Sequence, residues 1–250
     1  TYIVSGMLIT VCSTKGGAGK TTTVCNVAAT FGEAGYDVLT VDLDPQASLT
    51  KWYGVAEGPT IASVFERTHR LTDVVYTDET FGFDLIPSAR SLREVNDLSR
   101  LRRPLHRLVS QHYDLCIIDT PPSVSRFMSA AVEMSQGVVV PVEASMAALD
   151  TLADTLSVVA QLGGDVMGIV VCRVDARTSN DVSVQPHLAE QYPDLVFDQV
   201  IRESVAVRDS HAERVPTVVH NPRNNAAQDY KALAFSLKAR IDHHAKAQKV

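Results

Sequence analysis

The chain has 250 residues, 45% of them hydrophobic and 21% charged, and a formal net charge of −6, the balance of an ordinary soluble globular protein. A chain this long buries a core without a disulfide framework or a metal staple. No apolar run approaches the roughly 18 residues of a membrane span, no secretory signal pattern opens the chain, and Cys12, Cys25, Cys116 and Cys172 form neither a C-x-x-C pair nor a Cys/His cluster. They read as reduced core thiols of a cytoplasmic protein. The charge is uneven: residues 201–250 carry nine Lys or Arg against five Asp or Glu, a net of +4, which leaves 14 − 24 = −10 for residues 1–200. Such asymmetry fits either one face turned to a polyanion or a solvated surface.

Strand-like and helix-like patterns alternate along the chain. Met7 to Cys12 is a continuous apolar run, the pattern of a strand buried on both faces. A Gly-rich turn follows, then a helical pattern from Lys20 to about Ala34, with Gly35 as a helix stop. Asp37 to Val41 is a second buried strand, and Phe83 to Ile86 a third. Residues 90–111 form an Arg-rich helical stretch, with an interruption expected before Pro104. Asp114 to Asp119, Gly137 to Val142, Val166 to Cys172 and Leu195 to Val200 repeat the strand pattern. Helices are expected over about 146–162, 180–191 and 204–213. A last helix places Ala226, Tyr230, Leu233, Leu237 and Ile241 on one face. Strands alternating with helices predict an α/β fold with a mainly parallel sheet covered on both sides. Residues 7–250 read as a single domain. Residues 1–6 lack a pattern and read as a tag remnant or a disordered tail.

The strongest local signal is Thr14-Lys15-Gly16-Gly17-Ala18-Gly19-Lys20-Thr21-Thr22. It follows a buried strand and opens a helix, the context of a phosphate-binding loop. Glycines let the backbone approach phosphates and turn its N–H groups inward, and the helix N-terminus adds positive potential. Lys20 would reach the β- and γ-phosphates, and the Thr21 hydroxyl would ligate Mg²⁺. A dinucleotide loop is disfavoured, because Thr22 stands where its third glycine belongs. The standard loop also puts a glycine where Thr14 stands and has no lysine at position 15.

This loop resembles the deviant Walker A signature, K-G-G-x-G-K-S/T, of the ParA/MinD family of dimerising ATPases. The resemblance implies a P-loop NTPase fold, with Lys15 reaching the phosphates of ATP bound by the other subunit, as an arginine finger does. Two further segments agree in order and spacing. Val41-Asp42-Leu43-Asp44-Pro45-Gln46 is similar to the family's D-x-D-P-Q motif, which implies that Asp44 positions the attacking water and Asp42 helps hold the Mg²⁺ hydration shell. Leu115 to Pro122 resembles Walker B running into a switch, which implies a water-mediated Mg²⁺ contact from Asp119 and γ-phosphate sensing by Thr120. Arg173, after a late strand, is the matching candidate for the nucleobase.

The partition branch is favoured over its relatives. The tail after Ile241 has no Phe, Leu, Trp or Ile with which to enter a bilayer, unlike a membrane-targeting helix. The resemblance implies a short-form partition ATPase, with no room before Met7 for a helix-turn-helix domain. ATP and Mg²⁺ are the implied cofactors. An ATP-dependent homodimer, non-specific double-stranded DNA and a ParB-like adaptor are the implied partners, and the nucleoid within the cytoplasm is the implied location. Arg202, Arg208, Arg214, Arg223, Lys231, Lys238 and Arg240 are the DNA-contact candidates, with the arginines of 90–107 as the alternative surface. A MinD-like membrane-cycling regulator and a P-loop metabolic enzyme are the competing readings.

Overall fold

A computed structural model describes residues 6–247. Its centre is an eight-stranded sheet in the order β3-β4-β2-β5-β1-β6-β7-β8. The strands are β1 (Met7–Val11), β2 (Val38–Asp42), β3 (Tyr76–Asp78), β4 (Phe83–Ile86), β5 (Leu115–Asp119), β6 (Gly137–Glu143), β7 (Val166–Val174) and β8 (Val196–Arg202). Every pairing is parallel except that of the short edge strand β3 with β4. β1, β2 and β5 are buried at every position, which is why they read as unbroken apolar runs rather than alternating ones.

The helices are α1 (Lys20–Glu33), α2 (Ser48–Tyr53), α3 (Ile61–Phe65), α4 (Ser99–His112), α5 (Arg126–Met134), α6 (Ala148–Gln161), α7 (Ser179–Gln191), α8 (Val205–Glu213), α9 (Thr217–His220) and α10 (Asn225–Ala247). α1 and α10 cover one face: Val24, Ala28, Tyr230, Leu233 and Leu237 pack with Ile9 and Ile117. α4 and α5 cover the other, where Leu101, Leu105 and Phe127 meet Leu8, Leu39 and Ile118.

The break expected before Pro104 lies earlier. Arg90–Glu94 is a separate 3₁₀ turn, and α4 runs from Ser99 through Pro104. Pro104 stands near the start of α4, where the ring has little preceding helix to clash with and forfeits a single backbone bond. Of the unpatterned 1–6 segment, residues 1–5 lie outside the described residues; the Gly6 amide donates to the Tyr113 carbonyl. The described part of the tail, through residue 247, continues α10, and no helix among the described residues is long and apolar enough to cross a membrane.

After β1 the chain winds to one side, through β2 and β4. It returns to β5 beside β1, then continues on the other side through β6, β7 and β8. The carboxyl ends of the central strands at such a reversal form the ligand crevice of doubly wound sheets. Parallel register brings three polar strand ends to that edge: Val11 and Asp42 are both level with Asp119, and Glu143 is level with Cys172.

Candidate functional site

The crevice holds an open cleft of about 480 Å³. Gly17, Gly19, Lys20, Thr21 and Thr22 form its floor. Asp44, Thr120 and Pro122 line one side, and Arg173, Arg202 and Arg208 another. Gly17 and Gly19 have φ of 79° and 91°, the left-handed region that glycine enters at no steric cost. Gly19 caps α1 without a side-chain hydrogen bond, and the first turn carries no acidic residue. Its N–H groups and the helix dipole therefore face the cleft as an anion cradle.

The two loop lysines diverge. Lys20 is buried, and its Nζ donates to the Lys15 carbonyl at 2.9 Å. Burial pulls its pKa down, opposed by Asp119, Cys12 and Asp44. Lys15 is absent from the cleft lining and turns to Glu143, with Nζ 2.5 Å from Oε2. Glu143 Oε1 accepts from Arg173 at 3.1 Å, and Arg173 also lies 3.6 Å from Glu203. Arg173 has φ 61° at a register shift between β7 and β8. This irregularity in β7 turns its side chain out of the sheet and over the loop.

The acidic residues divide into layers. Asp119 is fully buried; its Oδ2 accepts from the Thr21 hydroxyl at 2.7 Å and its Oδ1 from the Thr120 amide at 3.1 Å. Asp42 is also fully buried and has no place in the cleft lining. Its Oδ1 accepts from the Asp44 amide, and its Oδ2 from the Thr50 amide and hydroxyl. Asp42 thus pins the start of α2 and sets Asp44, with both oxygens engaged by protein donors. Asp44 lines the cleft and accepts from the Gln46 amide at 2.8 Å. Burial raises both Asp42 and Asp119; Asp44 adds to the rise at Asp42, and Asp42 and Asp44 add to the rise at Asp119.

The C-terminal cations do not form one free strip. Arg202 is locked on Asp229 in the cleft wall, with contacts of 2.6 and 2.9 Å. Lys231 pairs with Glu33, and Lys238 with Asp242. Arg240 donates to the Met167, Leu195 and Val196 carbonyls and stacks 3.9 Å over Phe197. Arg208 lines the cleft and Arg214 lies beside Gly54, while Arg223 is exposed.

Several lining residues carried no sequence motif. Trp52 donates from Nε1 to the Val215 carbonyl, and the His211 ring tilts against it at 4.9 Å; both face the cleft. Glu143 carried the one usable signal, a carboxylate ending a buried strand, as Asp42 and Asp119 do.

Residues 6–166 match the AAA domain family. An uncharacterized protein of Mycobacterium tuberculosis is 34% identical over 92% of this chain and 78% of its own length. The sporulation initiation inhibitor protein Soj of Bacillus subtilis is 31% identical over 94% of this chain and 99% of its own. The septum site-determining protein MinD of Pyrococcus horikoshii, solved with Mg-ADP, superposes with a TM-score of 0.83 at 25% identity, covering 92% of this chain and 95% of that one.

Proposed function

The chain belongs to the ParA/MinD family of P-loop ATPases, and on that premise we propose that it is a partition ATPase that hydrolyses ATP to ADP and phosphate, dimerises on ATP and binds double-stranded DNA without sequence preference. Hydrolysis stimulated by a ParB-like adaptor would then reset it. The observation that carries this reading is the position of Lys15. It belongs to the phosphate-binding loop yet lies outside the cleft of its own subunit, held by Glu143. A loop lysine with no place in its own cleft has its use at another subunit's phosphates.

The residues present fit a magnesium nucleotide. The glycine cradle and uncapped N-terminus of α1 suit the phosphates, Lys20 supplies a buried cation, and Thr21 with Asp119 supplies oxygen donors for Mg²⁺. Bound Mg²⁺ would supply charge neutralisation on the phosphate oxygens. Asp44 faces the cleft beyond the loop and would orient water for attack, while Asp42 holds Asp44 in place through its amide. Thr120, whose hydroxyl donates to the Val11 carbonyl, ties the segment after β5 to the strand that leads into the loop. The state of the phosphate site is thereby coupled to the turn at Pro121 and Pro122.

The test is sedimentation of the full chain with ATP, ADP or no nucleotide, against DNA and anionic liposomes in parallel. A dimer and DNA retention with ATP alone support the proposal. ATP-dependent retention on liposomes without DNA retention makes it a membrane-cycling regulator. Turnover that needs a small-molecule acceptor and ignores DNA makes it a metabolic enzyme.

A further inference from the structure

Among the described residues the largest cluster of unpaired cations lies on α4 and the 3₁₀ turn before it; Arg208, Arg214, Arg223 and Lys246 are also unpaired, but they are scattered over α8, its C-cap, the turn before α10 and the end of α10. Arg90, Arg93, Arg102, Arg103 and Arg107 are exposed, and none of their guanidinium groups has a hydrogen-bond or ion-pair partner among the described residues; that of Arg100 has only a 3.5 Å contact to Asp97. Arg126, at the start of α5, donates to the Arg93 carbonyl and so joins the same surface. On α4 the buried side is Leu101, Leu105, Leu108 and Val109. At 100° per residue, Arg100, Arg103 and Arg107 project from the opposite side in one row about 10 Å long. Six arginines against Glu94 and Asp97 make residues 90–112 net +4 in a chain of net −6.

We infer that duplex DNA lies against this arginine face; the inference rests on the DNA binding proposed above and gives it a surface. A duplex presents a negative charge about every 1.7 Å of its axis, and guanidinium groups engage phosphates through forked N–H donors. A protein partner would be expected to use an apolar anchor at the centre of its footprint. No large apolar side chain is exposed between Arg90 and His112. What the face offers is unpaired charge and polar side chains, the requirements for sequence-independent backbone contact. By contrast, engaging DNA through Lys231 or Lys238 means first breaking a pair with Glu33 or Asp242.

The experiment measures anisotropy of a labelled mixed-sequence duplex titrated with full-length protein in ATP and Mg²⁺, across a salt series. Arg103→Glu/Arg107→Glu is compared with Lys231→Glu/Lys238→Glu, with sedimentation velocity as the check on dimerisation. The α4 variant should bind at least tenfold more weakly. Its slope of log K against log salt should be shallower by about two per protomer, near one per lost phosphate contact. The C-terminal variant should stay within about twofold. If the α4 variant does not fold, Arg103→Gln/Arg107→Gln must show the same shallower slope. Wild-type affinity and slope in the α4 variants would overturn the surface and leave DNA binding standing. A wild-type protein that ignores duplex DNA, or prefers polyglutamate to it, would overturn both.

Discussion

Glu143 divides its carboxylate between two cations of the site, with Oε2 at 2.5 Å from Lys15 Nζ and Oε1 at 3.1 Å from an Arg173 nitrogen. The Lys15 and Glu143 side chains are 32% and 26% exposed. A pair this accessible is worth about 1 kcal/mol or less. It holds Lys15 in its own subunit without trapping it there. Glu143→Ala should therefore favour the ATP dimer by up to about fivefold per protomer, the equivalent of that 1 kcal/mol for each of the two pairs released. Sedimentation equilibrium at fixed ATP measures this. A dimer weakened by the substitution would mean that Glu143 itself works across the interface.

Lys15→Ala and Lys20→Ala should separate. Lys20 is buried in the cleft, so its loss should impair nucleotide binding. Lys15 lies outside the cleft, so Lys15→Ala should leave monomer affinity for ADP within about twofold while abolishing turnover and weakening the ATP dimer. Calorimetric titration with ADP, beside a phosphate-release assay, distinguishes them. Normal hydrolysis by Lys15→Ala at every protein concentration rules out the cross-subunit role.

Asp44→Ala should uncouple dimerisation from hydrolysis. The carboxylate faces the cleft but its own hydrogen bond goes to Gln46, so removing it leaves the loop and Asp42 in place. Groups that position or activate water contribute about 10²–10⁴-fold, and a slow basal rate compresses the observed fall. The expected result is a persistent ATP dimer in size-exclusion chromatography. A variant that stays monomeric in ATP counts against Asp44 as the water-facing residue.

The parallel sheet was legible because its central strands are mainly apolar and buried at every position, and the loop because glycine and lysine at a strand-to-helix turn admit few other uses. α2 and α5 were not: Ser48–Tyr53 is only six residues, and α5 starts after the Pro121-Pro122 turn, where a switch motif masked its pattern. The divergence of Lys15 and Lys20 follows from Glu143, 128 positions away in sequence. Charge counting at the C-terminus is incomplete for the same reason. It sees nine cations but not Asp229, Glu33, Asp242 and the carbonyls that occupy Arg202, Lys231, Lys238 and Arg240. It also undervalued α4, whose arginines have almost no carboxylates to meet.

Arg240 should behave as a structural residue. Its guanidinium satisfies carbonyls at 2.6, 2.6 and 3.0 Å on the β7 and β8 side of the sheet and covers Phe197. Arg240→Ala removes one donor from each of those carbonyls, of which Leu195 keeps the Ile169 amide. Hydrogen bonds to a charged group and a partly shielded cation–π contact together suggest a loss of about 2–3 kcal/mol. For a chain of this size that lowers Tm by roughly 4–12 °C. A thermal melt reads it directly. A variant with wild-type Tm and reduced DNA retention would restore Arg240 to the DNA contacts.

Asp42 and Asp119 give the protein without nucleotide an unusual pH response. Both are fully buried and level with each other in the sheet. Burial is the main cause that raises them, Asp42 to about 6 and Asp119 to about 8, against about 3.9 for an unfolded aspartate. A native pKa above the unfolded one means that the native state binds the proton more tightly. The stabilisation is complete below the unfolded pKa and is lost as pH rises through the native one. The free chain should therefore lose stability between about pH 4 and pH 8, most steeply below about pH 6, where the native state still holds both protons, and about half as steeply from pH 6 to pH 8, where only Asp119 holds one. If Mg²⁺ with ADP binds as proposed, its cation would stand beside Asp119 in place of the proton, so the loaded protein should show a flatter profile and the largest ligand-induced gain in Tm near pH 8. Asp119→Asn removes the later of the two ionisations; its melts in the absence of nucleotide should fall less than wild type between pH 6 and pH 8.5. Parallel wild-type and variant profiles over that range would show that Asp119 is already ionised at pH 6, and that the polar contacts from Thr21 and Thr120 outweigh its burial.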